Sequence, residues 1–68
     1  MTNMKEWRKT FKLTLHLGNA AFENRIGYET ARILRELANK IEETNAHDGG
    51  QCADINGNTV GSYTFLPH

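Results

Sequence analysis

The chain has 68 residues, a single cysteine, and eight Lys/Arg against eight Asp/Glu, so its formal net charge is zero. That length admits one domain, close to the lower limit at which a single core suffices; the lone Cys52 excludes an intrachain disulfide, and no Cys/His cluster points to a structural metal. All the cations lie within residues 1–40, beside Glu6, Glu23, Glu29 and Glu36, whereas residues 41–68 carry only Glu42, Glu43, Asp48 and Asp54, so one end is basic without an overall nucleic-acid footprint.

The opening run MTNMKEWRKT lacks the apolar stretch of a signal peptide. No apolar run approaches the roughly eighteen residues a membrane span needs. A cytoplasmic protein with no membrane partner is the simplest expectation. With neither a disulfide nor a metal to staple so short a chain, a core shared between copies is also expected, as a homodimer or higher homo-oligomer.

From Thr10 the pattern alternates. Phe11, Leu13, Leu15 and Leu17 fall on one side and Thr10, Lys12, Thr14 and His16 on the other. Period two over eight residues predicts a strand, with its apolar row inward and its polar row toward solvent or a partner. Residues 18–27 form the connection, and its Phe22 and Ile26 are expected to tuck into the core.

The segment Tyr28–Glu43 is the helical one. At about 100° per residue, Ala31, Leu34, Leu37, Ala38 and Ile41 make an apolar stripe with Ile33 at its edge, opposite Glu29, Arg32, Arg35, Glu36, Lys40 and Glu42. The stripe is expected to lie on the strand, with Leu34 and Leu37 facing Leu13 and Leu15. Glu29 suits the first turn, and Asn24 is a candidate cap. Glu42 and Glu43 oppose the helix dipole at the other end, which predicts fraying there. The stop signals lie in residues 44–50. A helix of about sixteen residues is marginal alone, so it needs a sheet.

The remaining segment, QCADINGNTVGSYTFLP, reads as a hairpin about Asn56-Gly57. A two-residue turn would pair Ile55 with Asn58. A type I turn with a bulge would pair Asp54 with Asn58 and place Gly57 in the left-handed region, and it is preferred because Asp and Gly each have a role in it. Gly61 suggests a further bulge or a close backbone approach, leaving open which of Val60, Tyr63 and Phe65 face inward. The fold class is therefore α+β, in the order β-α-β-β: one amphipathic helix on a small three-stranded, mostly antiparallel sheet. No linker or repeat divides the chain, so residues 1–68 are taken as a single domain.

Catalytic chemistry finds little footing. Asp54-Ile55-Asn56-Gly57-Asn58 resembles the opening of a calcium loop, but Thr59 and Phe65 stand where that loop wants Gly and Glu, and turn chemistry explains the same residues. Cys52 sits in a strand, where a free cysteine behaves as a small hydrophobe. His16, His47 and His68 have no metal-ligand spacing. No glycine-rich loop opens a helix, so no phosphate cradle exists. Neither catalytic residue, metal nor cofactor is expected.

The candidate binding surface is N-terminal. Lys5, Trp7, Arg8, Lys9 and Lys12 set four cations and an indole within eight residues, and Thr14 and His16 continue the strand's outward face. Trp with Arg and Lys suits a protein interface. It also suits stacking on single-stranded bases with cations along the phosphates. The bland alternative is a Trp capping the core edge, with lysines guarding an edge strand. The charged helix face is a second possible contact.

Three blocks, NAAFEN at Asn19–Asn24, ETARILRELANKIEE at Glu29–Glu43 and DINGNTVG at Asp54–Gly61, resemble small proteins encoded by bacteriophages and prophages. In these a strand leads through N-A-A-F to an A-R-I-L-R-x-L-A helix and a D-x-N-G-N-x-V-G hairpin, and the likeness covers about residues 11–65. The resemblance implies action inside a host cell by binding a host protein, such as a component of CRISPR or another defence system. The alternative is a nucleic-acid-binding module using the basic, Trp-bearing N-terminal strand.

Overall fold

The computed structural model describes residues 9–66. Strand β1 (Thr10–Leu15) is followed by a single 3-10 turn (Ala20–Phe22), helix α1 (Ile26–Thr44), strand β2 (Gly49–Ala53) and strand β3 (Thr59–Leu66). The last strand is the central one. It pairs antiparallel with β1 on one side and with β2 on the other, giving the order β1-β3-β2. One helix on a three-stranded antiparallel sheet is the expected α+β arrangement.

The alternation in β1 sets its register. Phe11, Leu13 and Leu15 lie opposite Phe65, Tyr63 and Gly61, while Lys12 and Thr14 lie opposite Thr64 and Ser62. The first set faces α1 and the second faces outward, because residues directly opposite share a face. The strand ends at Leu15 rather than Leu17, although the His16 N–H still donates to the Val60 carbonyl at 2.7 Å.

Gly61 serves two purposes. The β2–β3 register shifts by one between Cys52 and Ala53, with Cys52 opposite Gly61 and Ala53 opposite Thr59, so Val60 is the extra residue of a bulge. The bulge breaks period two and lets Val60 and Tyr63, three positions apart, both be buried. At the same place a Cβ on Gly61 would strike the Thr14 carbonyl oxygen and the Leu15 backbone, so only glycine lets β1 approach.

The hairpin turn is the bulged type. The Gly57 N–H donates to the Asp54 carbonyl at 3.0 Å, the Asp54 N–H donates to the Asn58 carbonyl at 2.9 Å, and Gly57 has φ +86°.

The helix differs from expectation in its ends and in its rotation. It begins at Ile26 after Arg25, which offers no side-chain cap; Asn24 instead sits at φ +64°, closing the turn that follows Phe22. It runs to Thr44 without loss at Glu42 and Glu43, because its end is sealed. Asn45 is left-handed, its N–H reaches the Glu42 carbonyl, and the Ala46 N–H reaches the Ile41 carbonyl.

The buried arc passes through Glu29, Ile33 and Leu37. Leu37 is buried in the core against which Leu13 and Leu15 pack, but Leu34 is 42% exposed, and Ala38 is exposed as well. The centre of the arc has moved from Leu34 to Ile33, about 100° on the wheel. Glu29 goes with this rotation: its carboxylate accepts a hydrogen bond from the Ile55 N–H of the hairpin turn, which holds a polar position toward the sheet. The core is then Phe22, Ile33, Leu37, Cys52, Val60 and Tyr63, edged by Leu13, Leu15, Ala21, Ile41 and Phe65.

Candidate functional site

Of the N-terminal candidates, Lys5, Trp7 and Arg8 lie outside the described residues. Lys9, Lys12, Thr14 and His16 are all exposed. Strand pairing extends two of them into rows. Thr14 lies opposite Ser62, which lies opposite Gln51; Lys12 lies opposite Thr64, which lies opposite Gly49. Because α1 covers the other face, these side chains form one side of the sheet, and among the described residues no second layer lies over it. It is lined by hydroxyls, an amide and the Lys12 ammonium.

The aromatic residues of the sheet are on the opposite side. Phe11, Tyr63 and Phe65 cluster there, with Phe11 4.9 Å from Phe65 and 6.0 Å from Tyr63, and Tyr63 edge-on to Phe65. Among the described residues the outer face therefore has no ring on which a base could stack.

The helix offers a second exposed surface at its start. The Arg25 guanidinium lies 4.0 Å from the centre of the Tyr28 ring, a cation–π contact. Tyr28 is 62% exposed, and Ile55 on the hairpin tip is 63% exposed.

Between α1 and β2 runs an open groove of about 630 Å³, lined among others by Arg32, Ile33, Leu37, Lys40, Cys52 and Asp54. Of its ionisable groups, Arg32, Glu36 and Asp54 are engaged in hydrogen bonds within the fold. Burial pushes the Cys52 thiol above its ordinary pKa, and the positive charge of Lys40 offsets this only in part. A thiol so placed stays protonated and is a poor nucleophile. Neither His16 nor His47 lines the groove, so among the described residues no imidazole lines it beside the sulfur.

Asp54 is buried and belongs to the turn. Its Oδ1 accepts from the backbone N–H groups of Asn56 and Asn58 at 2.9 Å each, and its Oδ2 accepts from the side-chain amides of Asn19 at 2.6 Å and Asn58 at 3.2 Å. Burial pushes this carboxyl up, but the four donors outweigh it and hold the pKa below the ordinary value. The carboxylate oxygens that a cation would need are thus already occupied by N–H groups.

Glu29 is the buried group that the helical pattern hid, since the wheel assigns it to the solvent side. Arg32 donates to both its oxygens, at 2.7 and 2.9 Å, and the Ile55 N–H donates to Oε2 at 2.9 Å. The Arg32 guanidinium is the main cause of its lowered pKa, acting against burial, with the Ile55 N–H next. Arg32 also donates to Glu36. The i,i+3 spacing of Glu29 and Arg32 was the visible signal; what it could not disclose was the third partner on the hairpin.

Among the described residues, site and fold together define a class: a small β-α-β-β module with one polar sheet face left open, its buried carboxylates held by hydrogen bonds within the fold. Comparison with family models, with curated proteins and with solved structures finds no match to this chain. No described helix is long and apolar enough to cross a membrane.

Proposed function

We propose that this protein is a non-catalytic binding module that engages a partner protein through the open face of its sheet. The observation that supports this is the register of Lys12–Thr64 and Thr14–Ser62–Gln51, which presents a cation, hydroxyls and an amide on a face that carries no second layer among the described residues. A pleated surface held by its ladder presents these groups with little backbone entropy left to lose on binding. The engagement of Asp54, Glu29 and Arg32 within the fold, and the protonated state of Cys52, favour binding over catalysis.

The resemblance of the three sequence blocks to phage and prophage proteins supports a host protein as the partner and inhibition as the outcome, for example of a defence complex in the host cytoplasm. A second reading, nucleic-acid binding by Lys9, Lys12 and the residues before them, is favoured only by the basic composition of the N-terminal strand.

Capture from bacterial lysate tests the first reading. The native chain should retain a stoichiometric protein that the triple variant Lys12→Glu, Thr14→Glu, Ser62→Glu loses; equal retention by both would overturn the sheet-face assignment. Titration with single-stranded oligonucleotides over a salt series tests the second, which requires affinity that falls steeply with salt.

A further inference from the structure

Helix α1 carries more apolar surface than the sheet covers. Gly27, Ala31, Leu34, Ala38 and Ile41 follow one another at spacings of four, three, four and three. They lie on the flank away from the groove, whose helical lining includes Arg32, Glu36, Lys40 and Glu43. Leu34 is 42% exposed, Ala38 is exposed, and Ala31 and Ile41 are half-buried. Among the described residues nothing stands within 4 Å of a Cβ placed on Gly27. A helix that only covered a sheet would centre its apolar arc on the buried Ile33. This one carries a second arc with the spacing of a helix–helix seam.

We infer that a second copy of this chain packs on that flank, its α1 antiparallel to the first about a two-fold axis midway between Leu34 and Ala38. The sizes of the residues along the seam fit this occupant. In that arrangement Leu34 meets Ala38 of the second copy, and Ala31 meets its Ile41, so every large residue faces a small one. A parallel pairing would set Leu34 on Leu34 and Ala38 on Ala38, large on large and small on small. Alternating sizes let two helices approach to about 8–10 Å with their side chains interleaved. One patch that complements itself under a two-fold is the signature of an isologous dimer. It would also enlarge the core of a chain too short to build a generous one alone.

Beside the seam Arg35 faces Arg35 of the second copy across the axis. Salt screens that repulsion, so association should strengthen with ionic strength, the reverse of a charge-driven contact. This interface is separate from the sheet face, and either can fail without the other.

Sedimentation equilibrium over a concentration series should show the mass double, and should show the transition move at least about tenfold higher in concentration for Leu34→Glu and for Ala38→Glu. Both positions are exposed in the single chain, so these variants should keep the native circular dichroism. A chain with both Leu34→Cys and Ala38→Cys, oxidised, should run at twice its mass on a non-reducing gel. A native chain that stays monomeric throughout, a dimer indifferent to both glutamates, or a double-cysteine chain that never crosslinks would each overturn the inference.

Discussion

Asn19 and Asp54, 35 residues apart, are joined by a hydrogen bond of 2.6 Å from the Asn19 side-chain amide to Asp54 Oδ2. The same Asn19 caps the 3-10 turn, its Oδ1 accepting from the Ala21 N–H at 2.9 Å. One side chain therefore fixes the turn that follows β1 and the turn that joins β2 to β3. Asn19→Ala loses both bonds and should cost about 1–3 kcal/mol in denaturant unfolding. Asn19→Asp separates them, since a carboxylate keeps the cap but stands against Asp54. It should be destabilised at neutral pH and partly recover in mild acid as one carboxylate gains a proton. An Asn19→Asp variant as stable as the native chain at neutral pH would show that only the cap matters.

The acid limb of stability should report Glu29 and Asp54. Both have folded pKa values below their ordinary ones of 4.5 and 3.8. Their contribution is therefore complete above those values and is lost as pH falls through them toward the folded values. Denaturation midpoints should be level at neutral pH and decline below about pH 4.5. Glu29→Gln should be less stable at neutral pH and show a shallower acid decline. A variant whose acid profile overlays the native one would remove Glu29 from the account.

These two carboxylates also mark how far the sequence could be read. Alternation in β1 and the Asp-x-Asn-Gly turn are local patterns, with cause and effect within a few residues, and the strand's facing and the bulged turn follow from them. The rotation of α1 is not local. It goes with the Glu29 carboxylate meeting the Ile55 N–H, 26 residues away. A wheel weighs hydrophobicity alone and places Glu29 outside. The open sheet face was legible as the polar row of β1, but its partners Ser62, Thr64 and Gln51 needed the register of a bulged strand. Gly61 signalled that bulge without fixing its direction.

Three glycines should respond differently to alanine. At Gly61 the added carbon meets the Thr14 carbonyl and the Leu15 backbone, neither of which can yield without parting β1 from β3. Gly61→Ala should cost about 3 kcal/mol or more. At Gly50 it meets the Tyr63 ring, with Oη at 2.7 Å and Cζ at 3.0 Å, and Tyr63 is buried. Gly50→Ala should displace that ring, with a change in near-ultraviolet dichroism. Gly27 has open space and lies in the helix, so Gly27→Ala should be neutral or gain up to about 1 kcal/mol. Equal effects at Gly61 and Gly27 would contradict the close approach of β1.

The rotation of α1 makes its own prediction, in adjacent residues. Ile33 is 2% exposed and packs with Phe22, Leu37, Cys52, Val60 and Tyr63, whereas Leu34 is 42% exposed. Ile33→Ala should cost about 2–5 kcal/mol, because the core around it cannot close the cavity. Leu34→Ala should cost less than about 1 kcal/mol at low concentration, where no second copy covers it and alanine's helix propensity offsets the lost contact. At high concentration the cost of Leu34→Ala should rise, since the mass-action stabilisation of an assembled pair is then removed. Denaturant midpoints for both variants at two protein concentrations measure all of this at once. A larger loss at Leu34 than at Ile33 in dilute solution would return the helix to the orientation its hydrophobic stripe alone implies.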